Sequence, residues 1–129
     1  MSERSTNESS RKQAAVSFLK HASSGKLDEA YSYVSPTFRH HNPYFKGDAE
    51  SLKAGMAEAA GKFPETTLEV QHTFQNGDLV AIHSRVSHGP DQADIAVVHI
   101  FRFEGDRIAE LWDVGIQAPV NSPNENGMF

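Results

Sequence analysis

The hydrophobic period of this chain changes at one point, and that change limits the folds open to it. Before Pro64 the apolar residues recur at helical spacing, whereas after it apolar and polar residues alternate. Two alternating segments, 67–74 and 79–87, flank Asn76-Gly77, the strongest short-range signal for a β-hairpin. Helices followed by consecutive antiparallel strands predict an α+β fold, with the helices on one face of the sheet.

The first half of the chain predicts three helices. The first begins near Ser9, and the second covers about 27–34 and stops before Pro36, because the residue before a proline disfavours helix. Asp48 is suited to cap the N-terminus of the third helix. The stretch 37–47 has no helical period, which predicts an extended piece or a loop.

The first hairpin predicts which side chains share a face of the sheet. A two-residue loop at Asn76-Gly77 would place His72, His83 and Arg85 on the same face as most apolar residues of this hairpin. That face is therefore the predicted core face. It carries titratable groups in an apolar setting, a pattern typical of a binding site.

A second hairpin is predicted from about 95 to 116, with its turn at 104–106. A three-residue loop would put His99 and Asp113 on the helix-covered face, whereas a two-residue loop would put His99 on the face of Trp112. We favour the three-residue loop because it groups the aromatic and aliphatic side chains together. An ionisable group such as Asp113 in a buried strand is either solvated at the strand end or held in a polar pocket.

The length of 129 residues predicts one folded domain. Its predicted limits are 9–117, with a disordered arm at 1–8 and an irregular tail at 118–129.

Composition excludes several classes of function. The net charge of -5, with no basic run beyond Arg11-Lys12, argues against nucleic acid and anionic membrane surfaces as partners. No apolar run is long enough to span a membrane. The chain has no cysteine and begins with a polar stretch unlike a secretory signal, which predicts a cytoplasmic protein.

Three segments carry a family resemblance: YSYVSPTFRHHNPYFKGDAESLKAG, FPETTLEVQHTFQNGDLVAIHSRV and HIFRFEGDRIAELWDV. Taken in order, over about 10–117, they resemble the SnoaL-like polyketide-cyclase branch of the nuclear-transport-factor-2-like superfamily. The resemblance implies a cone, in which a strongly curved antiparallel sheet surrounds an internal pocket and N-terminal helices close it.

The same resemblance implies a chemistry. Polyketide cyclases of this family use an Asp near the end of the last strand as acid/base, and Asp113 matches that position. The expected reaction is an aldol-type cyclisation or isomerisation of a small hydrophobic carbonyl compound, without a cofactor. His41-Asn42-Pro43 matches the family's segment after the second helix, whereas the Asp-Arg-Asp arrangement of the related epoxide hydrolases is absent. Because this fold hosts enzymes and binding modules alike, a non-catalytic ligand-binding or dimerisation module remains the alternative.

The candidate site residues fall into a catalytic group and a pocket group. The catalytic candidates are Asp113, His83 and His99. The candidates for the substrate pocket are His41, His72, Tyr33, Arg85 and Phe101, while His40 is predicted to face solvent. No metal is predicted, because the histidines lack HxH or HxxxH spacing and a site at His83, His99 and Asp113 is disfavoured.

The outer sheet face is predicted to be apolar as well, and this predicts a homodimer. The residues expected there are Val80, Ile82, Ile100, Ile108 and Trp112.

Overall fold

The computed structural model describes residues 3–129, with side chains from Ser10 onward. The elements, in chain order, are α1 (Glu3–Ser23), α2 (Leu27–Tyr31), β1 (Val34–His40), α3 (Ala49–Lys62), β2 (Thr67–Asn76), β3 (Leu79–Ser87), β4 (Ile95–Glu104) and β5 (Arg107–Gln117). The predicted α+β fold is confirmed. Helix α1 begins at Glu3, so residues 3–8 are helical where a disordered arm was predicted. Met1 and Ser2 lie outside the described residues.

The five strands form one sheet in the order β1-β5-β4-β3-β2. Strands β2 to β5 pair antiparallel in sequence, but β1 pairs parallel to β5, so the sheet is mixed rather than wholly antiparallel. The amide of His41 donates to the carbonyl of Leu111 at 3.0 Å and continues this parallel pairing. The sequence did not predict β1, since it assigned Val34 to a helix and 37–47 to an extended piece or loop. The reason is that β1 is defined by its pairing with β5, a long-range contact that the local pattern does not contain.

Helix α3 begins as predicted, since the carboxylate of Asp48 accepts a hydrogen bond from the amide of Ser51 at 3.2 Å. The loop before it crosses the helix closely at Gly55. A Cβ atom there would lie 2.3 Å from Cε1 of Phe45, so only glycine admits the aromatic ring at this position.

The helices cover one face of the sheet, which we call the inner face. The ring of Phe18 in α1 meets the ring of Phe101 in β4 edge to face, with 5.8 Å between centroids. The buried apolar core comprises Ala15, Phe18, Leu19, Ala22, Leu27, Ala30, Phe38, Leu52, Val80, Ile82, Phe101, Phe103, Ile108, Ala109 and Leu111. None of the helices in the described part of the chain is long and apolar enough to span a membrane.

A β-bulge in β2 decides the faces of the first hairpin. The turn is Gly77-Asp78 rather than the predicted Asn76-Gly77, and the register runs regularly from there to the pair His72 and His83. The register then shifts at Gln71, an extra residue without a partner, and Val70 pairs with Ser84. One extra residue reverses the alternation of side chains between the two faces. Val70, before the bulge, therefore faces inward, whereas His72, two positions later, faces outward.

Because of this bulge, three residues that were predicted on the core face lie on the other face of the sheet. His72, His83 and Arg85 lie on the outer face of the sheet, away from the helices. The buried residues of β3 are instead the alternate set, which includes Val80, Ile82 and Ser84. An unbroken β2, which the alternation alone predicts, would place His72 on the same face as Val70, and the bulge between them places it on the other.

A second bulge lies in β5. The turn is the two-residue Gly105-Asp106, and Ala109 is an extra residue between the pairs that β5 makes with β4. The predicted three-residue loop is therefore wrong, but the bulge restores the alternation. The prediction that His99 and Asp113 share the inner face is confirmed, and they are direct partners.

The outer face exposes a set of apolar side chains. Phe74 is 63% exposed and Val114 is 68% exposed, with Val98 and Ile116 nearby on the same face. The predicted membership is wrong for Val80, Ile82 and Ile108, which are buried in the core. Ile100 and Trp112, which are half-buried, do lie on the outer face.

Candidate functional site

A cavity of about 220 Å³ lies between α1, α3 and the inner face of the sheet. Its wall is mostly apolar, and its titratable side chains are His88 and His99. The lining residues are Leu19, Ala22, Ser23, Met56, Ala59, Ala60, Thr66, Leu68, Val86, His88 and His99. An apolar cavity with a few polar groups is the usual form of a small-molecule site.

His99 is the predicted catalytic residue that reaches this cavity. Its side chain lies on the inner face of β4, is 9% exposed, and its Nδ1 has no hydrogen-bond partner among the described residues. Burial lowers the pKa of His99 to about 4, and the negative charge of Asp113 opposes this shift. The imidazole is therefore neutral at pH 7, and its Nδ1 is a buried polar atom without a partner among the described residues, which is costly unless a ligand or water reaches it.

Asp113 lies beside His99, on the neighbouring strand, and does not form part of the cavity wall. It is half-buried, and the side-chain amide of Asn42 donates to its Oδ2 at 2.9 Å. Asn42 is itself held in place, because its Oδ1 accepts from the amide of Tyr44 at 3.0 Å. The carboxylate is thus fixed by a loop that follows β1.

Neither His40 nor His41 lies where the sequence predicted it, and neither lines the cavity. His40 is buried on the inner face, where its Nε2 donates to the carbonyl of Lys46 at 2.7 Å and its Nδ1 accepts from the amide of Asn42. His41 lies on the outer face, stacked on Trp112 with 5.0 Å between centroids. The placement of His41 at the pocket mouth is therefore wrong, because His41 continues the extended backbone one residue beyond β1 and so points to the opposite face from His40.

A buried carboxylate that the sequence did not predict lies on the outer face at Glu110. Its side chain is 6% exposed and contacts the guanidinium groups of Arg39 and Arg102 and Nε2 of His41. Hydrogen bonds from Arg39 and then His41 lower the pKa of Glu110 to about 2. This network is remote from the cavity and holds β1, β4 and β5 together.

Two other predicted pocket residues lie elsewhere. Phe101 is fully buried in the core and packs on Phe18 rather than lining the cavity. Tyr33 lines a separate polar groove between α1 and the start of β5, with Arg107.

On the outer face, the rings of His72 and His83 are nearly parallel, and their Nδ1 atoms are 3.1 Å apart. Arg85 donates two hydrogen bonds to Asp94, and its guanidinium lies 4.9 Å from the ring centroid of Phe129. The structure therefore does not bring these residues together with His99.

His88 is the cavity residue that sequence reasoning missed. It follows β3 directly, is half-buried, and stacks on Phe63 with 4.4 Å between centroids. Its Nδ1 lies 2.8 Å from Oγ1 of Thr66. The signal in the sequence was its position directly after the predicted strand 79–87, as the first residue of the short HGPDQAD connection.

No three potential metal ligands among His, Asp and Glu come together in the part of the chain that the structure describes.

Residues 15–111 match the family of SnoaL-like domains. The chain belongs to the SnoaL-like family. Comparison with curated proteins gives no match. The structure of this SnoaL-like protein is similar to an NTF2-like protein of unknown function from Burkholderia xenovorans LB400, with a TM-score of 0.73, 16% identity, and coverage of 91% of this chain and 90% of that one.

Two further solved structures show the same fold. One is a SnoaL-like protein of unknown function from Burkholderia thailandensis E264, with a TM-score of 0.69, 20% identity, and coverage of 86% of this chain and 96% of that one. The other is AclR from Streptomyces galilaeus, provisionally assigned as a hydroxylase, with a TM-score of 0.70, 20% identity, and coverage of 82% and 88%. At these identities the likeness establishes the nuclear-transport-factor-2-like cone and not a reaction.

Proposed function

We propose that this SnoaL-like protein binds a small, mostly apolar carbonyl compound in the cavity and performs acid/base chemistry on it without a cofactor. The observation that supports this most directly is His99, a neutral and unpartnered imidazole in an apolar wall, with the carboxylate of Asp113 beside it. The reaction class is an aldol-type cyclisation or an isomerisation.

In this proposal Asp113 accepts a proton from the carbon next to the carbonyl group, and His99 donates a hydrogen bond to the carbonyl oxygen. The electron pair of the broken C–H bond forms the enolate, whose negative oxygen is stabilised by the imidazole N–H. The proton then returns to carbon or to oxygen. Each such contribution is typically worth about 10²-fold or more in rate. Because Asp113 lies outside the cavity wall, the acidic carbon of the ligand must extend past His99 towards β5.

The second candidate function is ligand binding without turnover. The position of Asp113 favours it, since this carboxylate is engaged by Asn42 and does not line the cavity. In that case His99 and the apolar wall would bind the compound, and Asp113 would only hold the loop that follows β1.

Deuterium exchange separates these two functions. A small ketone such as 4-hydroxyacetophenone would be incubated with the protein in D₂O, with exchange at the methyl group and binding both followed by NMR. Protein-dependent exchange that is lost in Asp113→Asn, with binding retained, supports the enzyme. Binding without exchange supports ligand binding without turnover. The absence of both binding and exchange contradicts both candidate functions.

We also propose a homodimer formed through the outer face. Phe74, Val98, Val114 and Ile116 are exposed there beside Trp112, and a contiguous apolar patch of this kind is typical of an interface. A cytoplasmic location remains a prediction from composition.

A further inference from the structure

The hydrogen bonds around Thr66 determine which nitrogen of His88 carries the proton. The hydroxyl of Thr66 lies 2.7 Å from the carbonyl oxygen of Phe63 and 2.8 Å from Nδ1 of His88. The hydroxyl has one hydrogen, and a carbonyl can only accept. Both contacts are therefore satisfied together only when the hydroxyl donates to Phe63 and accepts from Nδ1–H of His88.

In its neutral form His88 then carries a lone pair on Nε2. The imidazole is held by its stacking on Phe63 as well as by Thr66, so its orientation is fixed from two sides. No hydrogen bond from the described residues reaches Nε2, although His88 forms part of the cavity wall. His88 thus adds to the cavity wall an imidazole of fixed orientation, whose Nε2 lone pair no hydrogen bond of the described residues engages and which the acid/base proposal does not use.

The remaining wall limits what this acceptor can meet. No Asp, Glu, Lys or Arg lies among the lining residues, so a charged ligand would find no counter-ion there. The volume of about 220 Å³ is below the roughly 300 to 1,000 Å³ of sites for drug-sized ligands. It equals the liquid volume of about seven water molecules. The cavity is partly open, so this volume describes the part of a ligand that lies within it, which is a single ring or a short chain rather than a fused polycycle.

We propose that His88 is a specificity-determining residue, which selects uncharged, single-ring or short-chain ligands carrying a hydroxyl group by accepting the ligand O–H at Nε2. Thr66 is the positioning residue that fixes the tautomer. The inference rests on the proposed ligand-binding function and adds to it the substrate class: a small hydroxylated carbonyl compound, with one polar end at His88 and the other at His99.

The tautomer is tested without any ligand. Long-range ¹H–¹⁵N NMR of the full chain distinguishes a protonated Nδ1 from a protonated Nε2 in neutral histidine. We expect the Nδ1–H form for His88 in the wild type and in Thr66→Ser, and a loss of this preference in Thr66→Val. An Nε2–H form in the wild type would overturn the inference.

Ligand selection is tested with a matched pair of ketones, 4-hydroxyacetophenone and 4-fluoroacetophenone, which differ by a hydroxyl donor and a fluorine of similar size. One hydrogen bond predicts binding of the hydroxyl compound that is about 3- to 10-fold tighter in the wild type. His88→Phe keeps a ring to stack on Phe63 and should reduce the ratio to about one. Thr66→Val should reduce it as well, whereas Thr66→Ser should preserve it.

The outcomes distinguish this inference from the function on which it rests. Equal affinity of the two ketones for the wild type would overturn the role of His88 and leave the cavity as a ligand site. Failure of both ketones to bind the wild type would overturn the inference and the proposed function together. A ratio above one that survives in His88→Phe would assign the hydroxyl to another group.

Discussion

Asp113 and His99 lie directly opposite each other on adjacent antiparallel strands, on the face that the helices cover, yet only His99 forms part of the cavity wall. The carboxylate therefore acts on the imidazole from outside the cavity. Its negative charge favours the protonated form of His99, while burial favours the neutral form and has the larger effect. The pair is a carboxylate and a neutral base, held at a fixed register by the sheet.

Asp113→Asn tests the proposed role of this carboxylate. Because the charge that favours imidazolium is removed, we expect the pKa of His99 to fall further, measured by NMR titration. Proton-transfer activity should fall by about 10² to 10⁴-fold. Stability should be unchanged or slightly higher, since an amide costs less to bury than a charge.

The control for that variant is Asp106→Asn, at an exposed turn carboxylate, which should change neither His99 nor activity. If Asp113→Asn instead costs about 1 to 3 kcal/mol of stability while ligand binding is unchanged, the carboxylate is structural and the functional proposal fails.

His99 predicts a pH dependence of stability. Its pKa is about 4 in the folded protein and about 6.5 when unfolded, so the unfolded chain binds the extra proton first. The free energy of unfolding should therefore fall by about 1 to 3 kcal/mol as the pH is lowered from about 6.5 to about 4. Denaturant titrations of wild type and His99→Gln measure this, and the variant should show a shallower slope in that window. Identical slopes would contradict the burial of a neutral imidazole.

Glu110 predicts a second and more acidic window. Its folded pKa of about 2 lies below the ordinary 4.5, so its stabilising contribution is present above about pH 4.5 and is lost as the pH falls towards 2. We expect about 1 to 2 kcal/mol, because Arg39 is largely solvated and its attraction is screened. Glu110→Gln should lose this dependence below pH 4.5, whereas Glu104→Gln, at an exposed partner of Arg102, should keep it.

The outer face predicts the oligomeric state. Wild-type protein should be a dimer by light scattering at micromolar concentration, and Val114→Lys should shift it towards monomer, because a charge would be buried in an apolar interface. Val120→Lys is the matched control, since Val120 is 96% exposed in the tail. A monomeric wild type with Trp112 fluorescence typical of water would refute the dimer.

Metal removal should have no effect. Purified protein is expected to contain no stoichiometric zinc or iron, and a chelator should leave the melting temperature unchanged. A fall of several degrees would reveal a structural metal, because bound metal contributes directly to folding free energy.

Much of the architecture could be predicted from local pattern. The change of period at Pro64, the cap at Asp48 and the glycines of the two turns predict the helices and the two antiparallel hairpins, because these signals act over a few residues, whereas β1 and its pairing with β5 were not predicted. The same pattern placed His99 and Asp113 on one face, and the ordered motifs indicated the SnoaL-like family.

Only the tertiary structure decided which side chains face the helices and come together at the cavity. The bulges at Gln71 and Ala109 each reverse the alternation within a strand, and the first moves His72 to the outer face while Val70 stays inside. A bulge is selected by packing between strands, which the alternation of a single strand does not record. The contact of His88 with Thr66 likewise joins residues 22 positions apart, so the cavity's second imidazole becomes visible only when the chain is folded.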